Sequence, residues 1–139
     1  MTSIIFMRYL GIDYGHKKIG LAISDETGSF AFPYQVLPNT PKLLEEVKKI
    51  CEQEKIEKIV IGESLDLSGV ANEIQKDILI FKEKLEQETG LVVVFEREFF
   101  TTWEAKRIID EKQNDKQTDA RAAALILKSF LDKDTSKNS

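Results

Sequence analysis

The chain has 139 residues, of which 42% are hydrophobic and 32% are charged, and its formal net charge is −4. Such a length and composition are typical of one globular domain with a single core. The 24 acidic residues outnumber the 20 basic ones, which argues against a broad, sequence-independent nucleic-acid-binding protein, because such proteins are usually basic. An enzyme whose acidic cluster is neutralised by divalent metal is compatible with this charge.

Localisation is indicated by what the sequence lacks. No apolar run approaches the ~18 residues that a transmembrane helix needs, and residues 1–6 lack the basic region and long apolar stretch of a secretory signal. The single cysteine, Cys51, can form neither an internal disulfide nor a multi-cysteine zinc site. We therefore expect a cytoplasmic protein without a membrane partner, and we expect Cys51 to pack in the core.

Three strands are predicted in the first forty residues. Residues 8–12 form an apolar strand that ends at Asp13 and a glycine turn, and residues 19–24 resume the strand pattern. Residues 29–37 predict a third strand, irregular around Pro33.

A helix follows the third strand. Thr40 and Pro41 have the residue types of an N-cap and a first helical position, and the helix is predicted to end near Glu54. Its apolar positions recur at helical spacing; they are Leu43, Val47, Ile50 and Cys51.

The second half of the chain alternates strands with helices. Strands are predicted at Ile59–Ile61 and Leu91–Phe95, and helices at residues 74–88, 101–111 and 118–131. This order predicts an α/β fold with a mixed sheet, helices on both faces, and ligand chemistry at the carboxyl ends of the strands. We assign residues 1–6 to an N-terminal extension, 7–131 to the domain and 132–139 to a flexible polar tail.

Four acidic residues fall where predicted strands end or a helix begins: Asp13, Glu63, Glu98 and Asp119. Asp13 taken alone could merely accept hydrogen bonds from the glycine turn that follows it. If the strands are neighbours, however, the carboxylates converge and repel one another unless a divalent cation joins them, and Mg²⁺ or Mn²⁺ prefers such oxygen-rich surroundings. Two ions about 4 Å apart would activate a water and stabilise the leaving oxygen of a phosphodiester.

Three segments resemble the YqgF/RuvX family, bacterial proteins that have a ribonuclease H-like fold and are related to the RuvC Holliday-junction resolvases. The segments are Met7–Gly15, Gly20–Asp25 and Asp119–Leu127, and the resemblance runs in order from residue 7 to about residue 131. It implies a five-stranded mixed sheet flanked by helices. It also implies a metal-dependent nuclease in 5′-end processing of pre-16S rRNA, with resolution of Holliday junctions or other branched DNA as the alternative.

The resemblance implies three metal ligands, one of which lies in a motif that departs from the family pattern. The family's first-strand aspartate falls on Asp13 and its last-helix aspartate on Asp119, while the glutamate of its Asp-Glu-Arg-Leu-Ser-Thr motif falls on Glu98. That motif departs from the pattern, because Arg97 and Phe99 replace its aspartate and arginine. The altered motif and the acidic balance leave a non-catalytic module that binds nucleic acid or the ribosome as a further alternative.

A second departure concerns Glu63. The family's Gly-Leu-Pro-Leu-Asn pattern reads Gly62-Glu63-Ser64-Leu65-Asp66 here, so that the proline is missing and an acid is present. Because RuvC-type resolvases carry a glutamate near this strand end, Glu63 is either a fourth ligand or a solvated loop residue.

Contacts with nucleic acid are predicted at Lys17, Lys18 and Thr102. The alternative for the lysines, and for His16 beside them, is a solvent-facing hairpin. The predicted partner is structured RNA or, in the alternative, branched DNA, and the protein is a monomer or a homodimer. An ATPase of the actin and sugar-kinase type would need two such domains, and this chain supplies only one.

Overall fold

The structure is a computed structural model, and it describes residues 7–63, 73–97 and 120–137. The predicted helix at 101–111 lies outside these ranges. Within them the chain forms five strands and three helices. In chain order they are β1 (Arg8–Tyr14), β2 (Lys18–Ser24), β3 (Ala31–Pro38), α1 (Leu43–Gln53), β4 (Ile56–Glu63), α2 (Glu73–Thr89), β5 (Val92–Arg97) and α3 (Ala120–Lys137).

The strands form one mixed sheet in the order β3-β2-β1-β4-β5. β1 is antiparallel to β2, and β2 to β3, whereas β1, β4 and β5 are mutually parallel. The continuous apolar runs of β4 and β5 are typical of parallel strands that are covered on both faces. The predicted mixed sheet is therefore confirmed, and the carboxyl ends of β1, β4 and β5 meet at one edge.

One face of the sheet packs against α1 and α2. The predicted apolar face of α1 is confirmed, and burial raises the pKa of the Cys51 thiol to about 12. The buried cluster between the sheet and these two helices contains only apolar residues: Leu10, Ile12, Ile19, Leu21, Leu37, Leu43, Val47, Ile50, Cys51, Ile56, Ile59, Ile61, Ile78, Phe81, Leu85 and Val93.

The other face packs against α3. The buried apolar cluster on this face consists of Tyr9, Ala22, Val60, Ala123, Ile126, Leu127 and Leu131. At Gly11 of β1 the helix touches the strand backbone, because a Cβ atom there would lie 2.8 Å from Leu127 Cβ and 2.9 Å from the Ala123 carbonyl oxygen. Gly11 thus permits a close approach of α3 that any side chain would prevent.

Of the predictions around Pro33 and Thr40, the first is confirmed and the second is wrong. The pairing of β2 with β3 shifts register between Leu21 and Ala22, which pair with Gln35 and Pro33; the predicted irregularity is confirmed. The prediction that α1 starts at Pro41 is wrong, because α1 begins at Leu43. The Thr40 hydroxyl accepts the Lys42 N–H at 3.3 Å, which forms a separate turn before the helix.

The predicted helix end at Leu131 is also wrong, because α3 continues to Lys137. Residues 132–137, assigned to a tail from the loss of apolar periodicity, contain neither Gly nor Pro, so that nothing in this segment stops a helix. Lys133 also forms an ion pair with Glu96, which ties this part of the helix to β5.

Candidate active site

Asp13 is a buried carboxylate on the face of the sheet that α3 covers. It is the penultimate residue of β1 and only 2% exposed. Alternation along the strand places it on the same face as Tyr9 and Gly11, both of which face α3. The predicted strand-end position is therefore confirmed.

Both sheet neighbours of Asp13 are glycines. On β2 it pairs with Gly20. On β4, Ile12 pairs with Ile61, and the next residue of this parallel register is Gly62. The directly paired positions on both neighbouring strands therefore carry no side chain. A buried oxygen donor flanked by two positions without side chains fits a hard divalent cation such as Mg²⁺ or Mn²⁺.

Glu96 is a second buried carboxylate in the same row of the sheet. It pairs with Gly62, which places its Cα about two strand spacings, roughly 10 Å, from that of Asp13. Glu96 is 4% exposed; its Oε1 accepts a hydrogen bond from Ser129 Oγ at 3.3 Å and pairs with the Lys133 ammonium.

Sequence reasoning missed Glu96 because the predicted strand ended at Phe95. The structure extends β5 to Arg97. Carrying the strand alternation past Phe95 would have placed Glu96 on the face of Val94, which packs against the α3 cluster.

The direction of α3 brings its first turn toward the Asp13 end of the sheet. The Phe130 ring lies 5.9 Å from that of Tyr9, whereas Ala123 and Leu127 lie over Gly11. The helix therefore runs antiparallel to β1, and its buried first residue, Ala120, lies on the side of Asp13.

The structure locates only some of the other predicted site residues. Asp119 immediately precedes Ala120 in the sequence but lies, with Glu98 and Thr102, outside the described residues. Glu63 is the last residue of β4 and pairs with Arg97, so that it belongs to the strand, which was predicted to end at Ile61. Its side chain is not among those described.

The lysines that are predicted to contact nucleic acid lie at the β1–β2 connection. His16, Lys17 and Lys18 are all exposed. Asn39 fixes this turn, because its side-chain amide donates to the Gly15 carbonyl at 2.9 Å and its backbone N–H donates to the Lys17 carbonyl at 2.8 Å. Lys17 thus belongs to a turn that Asn39 restrains, three residues beyond Tyr14, and Lys18 is the first residue of β2.

Two further features bear on the site. Within residues 7–63, 73–97 and 120–137, no three acidic, histidine or cysteine side chains are grouped closely enough to hold a metal ion. A cleft of about 250 Å³ is lined by Tyr14, Asn39, Phe81 and Lys84 among others, but it lies between α1 and α2, across the sheet from Asp13.

None of the helices in the described ranges has both the length and the apolar composition that a membrane crossing needs.

Comparison with known proteins agrees with the resemblance read from the motifs. The RuvX family model, described as Holliday junction resolvase, matches residues 7–133. A protein of Anaplasma marginale named "Putative pre-16S rRNA nuclease" is 38% identical, covering 90% of this chain and 84% of its own length. A protein of the same name from Carboxydothermus hydrogenoformans is 36% identical over 90% and 96%.

Solved structures show the same fold. Thermus thermophilus RuvC in complex with a Holliday junction superposes with a TM-score of 0.61 at 16% identity, covering 88% of this chain and 91% of that one. The fowlpox virus Holliday junction resolvase gives 0.56 at 16%, over 91% and 99%. Identity this low shows the fold alone, and the predicted ribonuclease H-like fold is confirmed.

Proposed function

This chain belongs to the RuvX family, and we propose that it is a divalent-metal-dependent nuclease that hydrolyses phosphodiester bonds of structured RNA. One observation carries the proposal: Asp13 is buried, flanked in the sheet by Gly20 and by the Gly62 position, and faces the side of α3. Burying a carboxylate is unfavourable, and glycines at the paired positions of β2 and β4 leave room beside Asp13 for a cation and a phosphate.

Three residues would hold the metal: Asp13, Glu98 and Asp119, with Glu63 as a candidate fourth ligand. These residues would hold a pair of Mg²⁺ or Mn²⁺ ions, which would supply an activated water and stabilise the leaving oxygen. Asp13 contributes a carboxylate fixed by the ladder bonds of a central strand, which limits its movement during the reaction.

Substrate binding would come from the fixed turn between β1 and β2. Lys17 and Lys18 would contact the phosphate backbone, and Thr102 would donate to it. Such contacts bind and position a nucleic acid without reading its sequence.

The names of the relatives support pre-16S rRNA as the substrate, and we propose its 5′ end as the part that is processed. The description of the family supports a second candidate, the Holliday junction. The candidates differ in the assembly they require, because resolution of a symmetric junction needs two active sites and hence a homodimer, whereas RNA end processing needs only one.

A cleavage assay that compares Asp13→Asn with Asp25→Asn tests the proposal. Asp25 is the matched control, since its carboxylate lies in the β2–β3 turn, where it accepts the Ser29 and Phe30 N–H groups. With Mg²⁺ or Mn²⁺, the wild-type chain and Asp25→Asn should cleave a 5′-extended 16S rRNA fragment. Asp13→Asn should lose at least about 10²-fold in rate, because metal-ion stabilisation is worth several kcal/mol.

The same assay separates the alternatives. Preferential cleavage of a four-way junction by a dimeric species would support the resolvase. Full activity of a folded Asp13→Asn preparation would overturn the metal site. Absence of both cleavage and calorimetric Mn²⁺ binding in the wild-type chain would support the non-catalytic binding module.

A further inference from the structure

We propose that Glu96 is a positioning residue that fixes α3 on the sheet and thereby sets where the first turn of α3 stands relative to Asp13. This inference rests on the proposed function, since it concerns the geometry of the proposed metal site. Nothing in the family motifs assigns a role to Glu96, which precedes the motif glutamate by two residues.

The contacts of Glu96 join β5 to the second half of α3. Its side chain is 5% exposed, whereas that of Lys133 is 53% exposed. The lysine therefore reaches inward from the surface to meet a carboxylate that stays in the interior. With the Ser129 hydroxyl at 3.3 Å, two successive turns of α3 are hydrogen-bonded to one carboxylate.

The hydrogen bonds of Glu96 supply a directional restraint on α3 that apolar packing lacks. The buried residues of α3, among them Ile126, Leu127 and Leu131, hold the helix against the sheet through hydrophobic burial, which is non-directional. A charge-assisted hydrogen bond at a buried carboxylate is directional. Glu96 therefore fixes the position of the helix along and about its own axis, which the apolar contacts leave less restricted.

Because α3 is long, a small change in its orientation near Lys133 displaces its first turn. Ala120 and Lys133 are about 20 Å apart along the helix axis, so that a tilt of a few degrees at Lys133 moves the first turn by on the order of 1 Å. A displacement of this size is enough to lower a rate by roughly 10²-fold. Glu96 would thus influence the metal site from outside it.

Measurement of Mn²⁺ affinity by calorimetry, together with kcat and KM for cleavage, tests the proposal. The variants are Glu96→Gln, the pair Ser129→Ala with Lys133→Met, and the combination of all three. Loss of groups that orient metal ligands commonly weakens metal affinity about 10-fold or more. We expect Glu96→Gln and the Ser129/Lys133 pair to weaken Mn²⁺ binding by about 10-fold each and to lower kcat more than they raise KM.

The combined variant should be little worse than either parent, because all three changes break one connection and their effects are not additive. Glu54→Gln is the matched control for stability. It breaks the 3.0 Å ion pair with Arg8, which links the end of α1 to β1. It should lower Tm and leave Mn²⁺ affinity and kcat at the wild-type values.

Three results would overturn the inference. Glu96→Gln with wild-type Mn²⁺ affinity and kcat would show that Glu96 sets nothing at the site. Loss of Mn²⁺ binding in Glu96→Gln, with none in the Ser129/Lys133 pair, would make Glu96 a direct ligand. If Glu54→Gln lost as much Mn²⁺ affinity and kcat as Glu96→Gln at an equal Tm, the role of Glu96 would be one of stability only. If the wild-type chain itself binds no Mn²⁺ and cleaves nothing, it is the proposed function that fails.

Discussion

The two faces of the sheet differ in what they bury. The face under α1 and α2 buries sixteen apolar side chains and, among the described residues, no charged one. Under α3 the described residues form a smaller cluster of seven buried apolar residues, and both buried carboxylates of the described residues, Asp13 and Glu96, lie on this face.

The difference separates stability from chemistry. Apolar burial on the first face supplies the hydrophobic free energy that holds the domain together. Buried carboxylates on the second face lower that free energy unless partners compensate them. We therefore expect substitutions on the first face to change stability alone, and substitutions on the second to change stability and activity together.

A pair of leucine truncations gives the largest expected effect. Leu85 and Leu127 are each 0% exposed, on opposite faces, and truncation of a buried leucine costs about 2–5 kcal/mol in unfolding free energy. Leu85→Ala should lose that stability yet keep its cleavage rate per folded molecule. Leu127→Ala should lose both, because Leu127 seats α3 against Gly11.

Urea unfolding and cleavage rates normalised to the folded fraction measure the pair. Equal loss of normalised activity in both variants would contradict the division between the faces. The domain should stay folded in each case, because domains of this size have about 5–15 kcal/mol of stability.

Gly11→Ala should give an intermediate effect on the α3 face. The added methyl would meet Leu127 Cβ at 2.8 Å and the Ala123 carbonyl at 2.9 Å, so that α3 must move outward. Overpacking of this kind costs about 1–3 kcal/mol, and the displaced helix should weaken Mn²⁺ binding. Thermal unfolding measures the loss of stability, and calorimetry measures the loss of Mn²⁺ affinity.

Gly90 supplies the matched control on the other face. It follows the end of α2 with φ at +72°, and a Cβ atom there would meet nothing within 4 Å. Gly90→Ala should therefore lose about 1 kcal/mol from backbone strain alone and leave Mn²⁺ affinity unchanged. A fall in affinity for Gly90→Ala equal to that for Gly11→Ala would contradict the interpretation.

The smallest expected effect concerns Asp25, an acid outside both faces. Partial burial raises its pKa, but hydrogen bonds from the Phe30 and Ser29 N–H groups and from Thr27 outweigh this and lower it from 3.8 to about 2. Because the folded-state pKa is depressed, its stabilisation is complete above about pH 4 and is lost as the pH falls toward 2.

Comparison of wild type with Asp25→Asn measures this effect. The urea midpoint of the wild-type chain should exceed that of the variant at pH 5, and the difference should shrink at pH 2.5. A difference that grows on acidification would contradict the assignment. This carboxylate accepts hydrogen bonds from the backbone of its own turn, whereas that of Asp13 is buried in the sheet.

The sequence was most informative where one local pattern sufficed. Alternation predicted β1 and β2, helical spacing predicted the buried face of α1, and the irregularity at Pro33 followed from its missing N–H. Boundaries were less accurate at Thr40 and Leu131, because a local turn delayed one helix and a polar segment without Gly or Pro continued another. Glu98, Thr102 and Asp119 stay predictions.

Asp13 as a strand-end carboxylate, the mixed sheet and the family were determined by the sequence itself, since each depends on residue types at fixed spacing along the chain. Only the tertiary structure decided that Asp13 lies between Gly20 and Gly62, and that Glu96 is buried against Ser129 and Lys133. These relations depend on register between strands that are distant in sequence and on the direction of α3 across the sheet. Periodicity within a single segment carries no information about either.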